Sequence, residues 1–556
     1  MTPAPQRKEN DLYFLPLGGT GEIGMNLNLY RYKGRWLMVD LGVTFDAEAA
    51  PGCDVIMPDI AFIEAERSKL DGLVLTHAHE DHIGAVEYLW HRLRCPIYAT
   101  PFTAAVLKRK FDESEGRKSF PPINIIPLSG RFDVGPFDLE LVSLTHSIPE
   151  PNAIAIRTPV GMILHTGDWK IDPEPLVGKD IDIEKLRALG KEGVLALIGD
   201  STNALVEGHS RSEAELRDSL TSVISGCKGR VAVACFASNV ARLETMSIIA
   251  GRLGRRAALV GRSLWRMYSA AREVGYLRDI PDFIAEEEAG YFPRDSILMI
   301  CTGSQGEPRA ALARISSGSH PHITMERGDT VVFSSRMIPG NEKSINALQN
   351  RLASLGIEII TDQEAFVHVS GHPCRDELTA MYQWIRPHIA VPVHGERRHL
   401  MAHAELALAC QVFAAPILNN GQVLCLTGQK PKIVDEVTTG RLAVDGNRVV
   451  SLKDEGLQQR RRLMHNGAAV ATIVLNRRGQ LKTAPVISFL GATDTENELS
   501  TQYTVATEVQ QAIENSDPHS LKDDSAIIEI TRRVVRRFAR EQTGKKPPVE
   551  VHVIRL

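Results

Sequence analysis

No uninterrupted apolar run in the 556 residues reaches the roughly 18 needed to cross a bilayer. The opening Met-Thr-Pro-Ala-Pro-Gln-Arg-Lys-Glu-Asn also lacks the apolar stretch that directs export. Both absences lead to the expectation of a cytoplasmic protein without a membrane partner. Paired cysteines are missing as well. The eight, at positions 53, 95, 227, 235, 301, 374, 410 and 425, stand singly with no Cys-x-x-Cys spacing. That excludes a disulfide framework and a zinc ribbon, and suits reduced thiols. Charge of one sign is not in excess either: 64 Lys and Arg face 68 Asp and Glu for a net −4, so any nucleic-acid site has to be a local basic surface. No internal repeat or low-complexity tract interrupts the chain, and its length calls for about three or four separate cores.

What is present is concentrated in residues 72–84, Gly-Leu-Val-Leu-Thr-His77-Ala-His79-Glu-Asp81-His82-Ile-Gly. An apolar strand stops at five closely spaced groups able to bind metal or move protons, and Ala85, Leu89 and Leu93 then recur at helical spacing. A strand-to-helix loop can bring three imidazoles and a carboxylate together from one rigid corner, and these are ligands of zinc and its relatives. The arrangement His-x-His-x-Asp-His resembles the signature of the metallo-β-lactamase superfamily. That resemblance implies further ligands at later strand ends. His146 follows the apolar run 139–144, Asp168 follows 162–164 and His394 follows 390–393. It implies a pair of divalent ions, with His77, His79 and His146 on one, Asp81, His82 and His394 on the other, and Asp168 bridging. Zinc is the expected metal and manganese the alternative.

Upstream, Gly19-Thr-Gly-Glu-Ile-Gly24 matches a dinucleotide fingerprint in letters, but the following 26–32 alternate like a strand where such a site needs a helix. Asp40 ends the next strand, placed to hold a ligand histidine through its other ring nitrogen; a plain turn aspartate is the alternative. His165 reads as a packed or supporting histidine. From 95 to 165 short strands predominate, and 194–198 adds one ending at Asp200-Ser-Thr-Asn203. At about 208 the pattern changes. Ser210-Arg-Ser-Glu213 reads as a capping box, and strand and helix then alternate through residue 355 as an open parallel α/β unit. Two of its loops, 236–239 and 302–307, carry hydroxyls, amides and glycines suited to phosphate.

The boundaries expected are a first metallo-β-lactamase segment over 1–207, an inserted domain over 208–360, a second segment over 361–440, a linker over 441–455 and an α+β domain over 456–556. In that last part Arg532, Arg533, Arg536, Arg537 and Arg540 share one side of a helix and Val534, Val535 and Phe538 another. The arginines read either as a solvated face or as a patch turned toward RNA or a second subunit.

The strings His-Ala-His-Glu-Asp-His-Ile-Gly, Asp-Ser-Thr-Asn, Thr-Gly-Ser-Gln-Gly-Glu-Pro, Ile-Pro-Gly-Asn-Glu and His-Val-Ser-Gly-His, in this order, resemble the ribonuclease J branch of the β-CASP nucleases. The resemblance spans about residues 10–440, and the C-terminal domain by position and size. It implies an αββα sandwich with an inserted parallel β-CASP domain and a small α+β C-terminal domain. It further implies a ribonuclease for single-stranded RNA, 5′-to-3′ exonucleolytic with preference for a 5′-monophosphate and also endonucleolytic, active in rRNA processing and mRNA decay. By matching motif, Ser238, His368, Ser370, Gly371 and His372 bind substrate phosphates, His372 is also the general acid, and Asp200 orients the site. A homodimer or homotetramer through the C-terminal domain and partners in an RNA-decay complex are implied too. The sequence departs from the family at one point: where an Ile-His-Arg commonly follows the Ser-Asn loop, this chain has Val240-Ala241-Arg242. The rival reading is a small-molecule metallohydrolase of the glyoxalase or lactonase type, for which an insertion of this size has no use.

Overall fold

The computed structural model describes residues 8–113, 120–338, 340–493 and 498–556. Pro339 of the Ile-Pro-Gly-Asn-Glu string and the first seven residues lie outside these. The chain forms two compact units, one of 1–44 with 56–441 and one of 45–55 with 442–556.

In the first unit an eight-stranded sheet runs in the order Lys432–Glu436, Gln422–Cys425, Tyr13–Gly18, Leu27–Tyr32, Arg35–Val39, Leu70–Val74, Ile97–Ala99, Ile123–Ile125. A six-stranded sheet runs Arg131–Val134, Phe137–Ser143, Asn152–Thr158, Gly161–His165, Val194–Asp200, Ile389–Val393. Alternation in these strands sends one set of side chains to a shared interior. There Phe14, Tyr30 and Val39 of the first sheet meet Ile154, Ile198 and Val391 of the second in one core. The other face of the second sheet is covered by the helices Ile183–Glu192, Arg375–Ile385 and Arg397–Ala409, through Leu186, Met381 and Ala407. On the outer face of the first, the Trp36 ring meets Phe62 of the helix Ala61–Ala65 edge-on at 5.5 Å. This is the αββα sandwich.

Pairing explains where the functional side chains emerge. Gly161–His165, Val194–Asp200 and Ile389–Val393 are parallel neighbours, with His165 opposite Ile198 and Asp200 opposite Val393. Their C-terminal ends therefore deliver Asp168, Asp200 and His394 to one rim. In the other sheet Val39 lies opposite Val74 in a parallel pair, so Asp40 and His77 leave at matching heights. Parallel strands release their loops at the same end, which is why residues far apart in sequence meet there.

The insertion builds a five-stranded parallel sheet in the order Arg256–Val260, Ile297–Cys301, Val231–Ala234, Thr330–Phe333, Glu358–Ile360. Its first helix, Glu213–Ser225, is capped by Ser212, which accepts from the Glu215 N–H. The expected box at Ser210 does not form, because the Ser210 hydroxyl donates to Glu377. Glu213 instead turns inward against the fully buried Arg242 at 3.1 Å. Burial alone would raise this carboxyl, but Arg242 and Lys170 hold it below its usual range. A depressed folded value makes the pair stabilising above the ordinary 4.5 and withdraws that stability as pH falls through the folded value. Glu213→Gln strands a buried guanidinium, so denaturant unfolding at pH 7 is expected to lose about 3–5 kcal/mol. At pH 4 the difference from the parent chain narrows.

The second unit differs from expectation at its start. Residues 441–451, expected within a linker, form the hairpin Arg441–Asp445 and Arg448–Ser451, and the strands Cys53–Pro58 and Thr44–Ala50 continue the same sheet. A second sheet, Val486–Leu490, Ala468–Leu475, Val549–Arg555, packs one face on the helices Glu498–Glu514 and Asp524–Thr543. Ile473, Phe489, Val505, Val535 and Phe538 fill that core. Among the described residues no helix is long and apolar enough to cross a membrane.

Candidate metal centre and nuclease site

Asp40 and Thr76 fix the corner from which the ligand loop departs. The Asp40 carboxylate accepts from the Thr76 N–H at 2.8 Å and its hydroxyl at 2.9 Å, and meets His82 Nδ1 at 2.7 Å. His82 Nε2 is thereby aimed across the site. Asp40 itself has φ +62° and His394 φ +52°, a left-handed backbone that costs conformational energy and clusters where side chains have to be delivered in a set direction.

The side chains gather into two groups that share Asp168. His77, His79, His146 and Asp168 form one; Asp81, His82, Asp168 and His394 form the other, all donor atoms of each lying within 4.8 Å of one another. In the first, His79 Nδ1 stands 3.0 Å from His77 Nε2 and 3.1 Å from His146 Nε2. In the second, Asp168 Oδ2 lies 3.2 Å from His82 Nε2 and 3.4 Å from His394 Nε2, and Asp81 Oδ2 is 3.6 Å from His394 Nε2. Ligands about 2.0–2.1 Å from a tetrahedral ion sit about 3.3 Å apart, so these separations fit divalent ions. The other oxygen of Asp168, Oδ1, is buried without a hydrogen-bond partner, a position that costs free energy unless a cation fills it. Burial pushes His77 and His146 well down and His79 to about 4, which keeps all three neutral and able to ligate. For Asp168 burial acts upward, but His394 and His82 hold it well below the usual carboxylate range.

A third group, Asp168, Asp200, His372 and His394, adjoins these two. Asp200 Oδ2 meets His372 Nδ1 at 2.8 Å, and Asp168 Oδ2 lies 3.9 Å from the same nitrogen. Burial works against protonating His372, yet Asp200, Asp168 and Asp81 outweigh it and push the imidazole up to about 9. Its segment is held by Asn203, whose amide donates to Ser370 Oγ at 2.8 Å and to the His372 carbonyl at 3.0 Å. The Gly371 carbonyl hydrogen-bonds His146 Nδ1, and a Cβ on Gly371 would stand 2.6 Å from the His146 ring. Gly371→Ala therefore has to displace a histidine of the first group; loss of bound metal, read by elemental analysis, is expected together with about a hundredfold loss of activity.

His368 is pushed down to about 3 by burial and by the nearby Arg242 charge, and its Nδ1 is buried without a partner. Arg242 reaches the same segment through Ser334, whose carbonyl it contacts at 3.1 Å and whose hydroxyl donates to the Val367 carbonyl at 2.6 Å. Ser238 lies at the entry to the helix Val240–Arg252 that carries Arg242.

Four family descriptions match along the chain: Metallo-beta-lactamase superfamily over residues 24–218, Ribonuclease J, beta-CASP domain over 228–352, Zn-dependent metallo-hydrolase RNA specificity domain over 356–411, and Ribonuclease J C-terminal domain over 456–556. Ribonuclease J of Sinorhizobium meliloti is 46% identical over 556 residues, covering 99% of this chain and 98% of that protein. Ribonuclease J of Mycolicibacterium smegmatis is 37% identical over 100% and 99% of the two chains. The chain belongs to the ribonuclease J family. It is a metal-dependent ribonuclease that binds RNA. A protein of unknown function from Enterococcus faecalis shares the fold, with a TM-score of 0.51 at 16% identity over 75% of this chain and 100% of that one.

Within this ribonuclease J framework one supporting residue was not legible in the sequence. Asn26 accepts from His394 Nδ1 at 3.1 Å, and its amide nitrogen lies 3.1 Å from His82 Nε2 and contacts the Asp81 carbonyl. It precedes the strand Leu27–Tyr32 and looks like any strand-start asparagine; only the adjacent glycine-rich turn hinted at a special backbone there. His165, by contrast, lies buried against the Tyr30 hydroxyl at 2.8 Å, apart from the three groups. Ala241, at the family's histidine position, is buried on the Arg242 helix.

Proposed function

We propose that the protein removes nucleotides from the 5′ end of single-stranded RNA, with preference for a 5′-monophosphate, and also cuts internally. The supporting observation is Asp168, shared by two ligand groups and standing beside the His372–Asp200 pair. His77, His79 and His146 would hold one ion and Asp81, His82 and His394 the second, with Asp168 between them. Two such ions, zinc or manganese, would neutralise charge on the scissile phosphate and acidify the attacking water.

The chain's own groups do the rest. Asp200 takes the Nδ1 side of His372, leaving Nε2 to carry the proton that the departing 3′-oxygen needs. Water gives up a proton to solvent as its oxygen bonds to phosphorus, the P–O3′ bond breaks, and O3′ leaves as a hydroxyl with the His372 proton. The downstream strand then keeps a fresh 5′-monophosphate, the preferred end for the next cycle. Ser238, His368, Ser370, Gly371 and His372 bind phosphates beside the scissile one; His368, kept neutral by burial, brings no second acidic proton to the site.

A time course on 5′-labelled RNA with mono- or triphosphate ends, with metal content measured on the same sample, tests this reading. Prompt release of labelled mononucleotide from the monophosphate substrate alone is expected, with internal fragments from the triphosphate one. Equal mononucleotide release from both ends would overturn the 5′ preference.

The boundaries 1–207, 208–360, 361–440 and 456–556 are proposed as the working parts, with residues 45–55 counted with the C-terminal unit, in the cytoplasm and within an RNA-decay assembly. Assembly into a dimer or tetramer is proposed through the C-terminal sheet, on whose outer face Val486 and Leu490 are each 63% exposed. Light scattering should report an oligomer, and Val486→Asp with Leu490→Asp should shift it to monomer.

A further inference from the structure

The C-terminal unit contains a groove of about 670 Å³ between the end of the helix Glu455–Asn466 and the last turns of Asp524–Thr543. Arg462, Arg536, Arg537, Arg540 and Lys546 line it against a single carboxylate, Glu541. Arg537 is paired with Glu508 at 3.0 Å, whereas no ion pair engages Arg462, Arg536, Arg540 or Lys546 among the described residues. Like charges gathered on rigid helices without counter-charges repel, and an anion relieves that repulsion. The groove is also braced. The Lys546 N–H donates to Asn466 Oδ1 at 3.0 Å, and the Asn466 amide donates to the Arg462 carbonyl at 3.2 Å. The local balance agrees, since residues 456–556 carry 15 Lys and Arg against 11 Asp and Glu in a chain of net −4.

We infer that this groove is a second RNA site, separate from the nuclease centre, that grips the phosphate backbone without reading bases. The lining decides the partner class. Arginine anchors protein interfaces in company with tryptophan and tyrosine in desolvated pockets, and this groove has no aromatic side chain, only guanidinium forks, one amine, an amide, a carboxylate and Pro548. Forked guanidinium groups match phosphate oxygens in pairs. Without an aromatic platform there is nothing for bases to stack on, so binding is indifferent to sequence. The inference stands on RNA binding alone and is independent of the 5′ preference.

The test is fluorescence anisotropy with labelled single-stranded RNA on the full chain carrying Asp81→Ala, which separates binding from cleavage. Adding Arg462→Gln, Arg536→Gln and Arg540→Gln should weaken binding at least about tenfold near 0.1 M salt. The slope of log K against log salt should become shallower by about 2, at about 0.7 per lost phosphate contact. The corresponding triple Arg→Lys variant retains most of the slope, and in the otherwise unaltered chain the Gln variant hydrolyses bis(p-nitrophenyl) phosphate at the parent rate. If the triple variant unfolds, Arg540→Gln alone carries the same test with a slope change of about 0.7. An unchanged slope overturns the inference, as does a polyglutamate peptide that displaces RNA as well as RNA itself does.

Discussion

Asp168→Ala is expected to abolish ribonuclease turnover, by about a thousandfold or more, and to lower metal content in the same sample. Asp168 is common to all three donor groups, and its Oδ2 lies 3.2–3.9 Å from nitrogens of His77, His82, His146, His372 and His394. Its removal leaves buried imidazoles facing one another without the carboxylate that offsets a cation's cost there. Metal-assisted charge neutralisation is worth several kcal/mol at the transition state, and about 4 kcal/mol already corresponds to a thousandfold. Circular dichroism should stay near the parent spectrum, because Asp168 lies at the rim and the sandwich core is built elsewhere. Turnover within tenfold of the parent would show that Asp168 does not hold the ions.

His372→Ala should lower kcat by about 10²- to 10⁴-fold with metal content intact, the range general-acid catalysis supplies. The pH profile distinguishes this from a loss of packing. An acid has to be protonated to act, and an imidazole raised to about 9 remains so through neutrality and loses its proton above that. Bound cations repel that proton, so the alkaline limb of kcat/KM is expected at or below pH 9. Asp200→Asn removes the first attraction opposing burial, so it should move the limb to lower pH while leaving the plateau metal-dependent. A His372→Ala enzyme that keeps the parent's alkaline limb would assign that limb to another group.

The site was legible from the sequence where local pattern and chemistry coincide. His77, His79, Asp81 and His82 stand in one loop, and His146, Asp168 and His394 each end an apolar run, so strand ends could be read as delivery points. Asp40 could be read the same way. The C-terminal hairpin could not. Residues 45–55 join a unit whose other members begin at 442, and nothing in their own alternation records a partner that far along the chain. The switch from Ser210 to Ser212 as helix cap has the same origin, since Glu377, supplied by a later helix, takes the Ser210 hydroxyl. Asn26 was hidden for a different reason: its role depends on His394 and His82 approaching from two sheets at once.

The account rests on two cations flanking one carboxylate. Anomalous diffraction at a metal edge on crystals of the loaded protein measures this directly. The account predicts two peaks about 3.5–4 Å apart on either side of Asp168, one among His77, His79 and His146 and one among Asp81, His82 and His394. A single peak, or peaks away from Asp168, would contradict it.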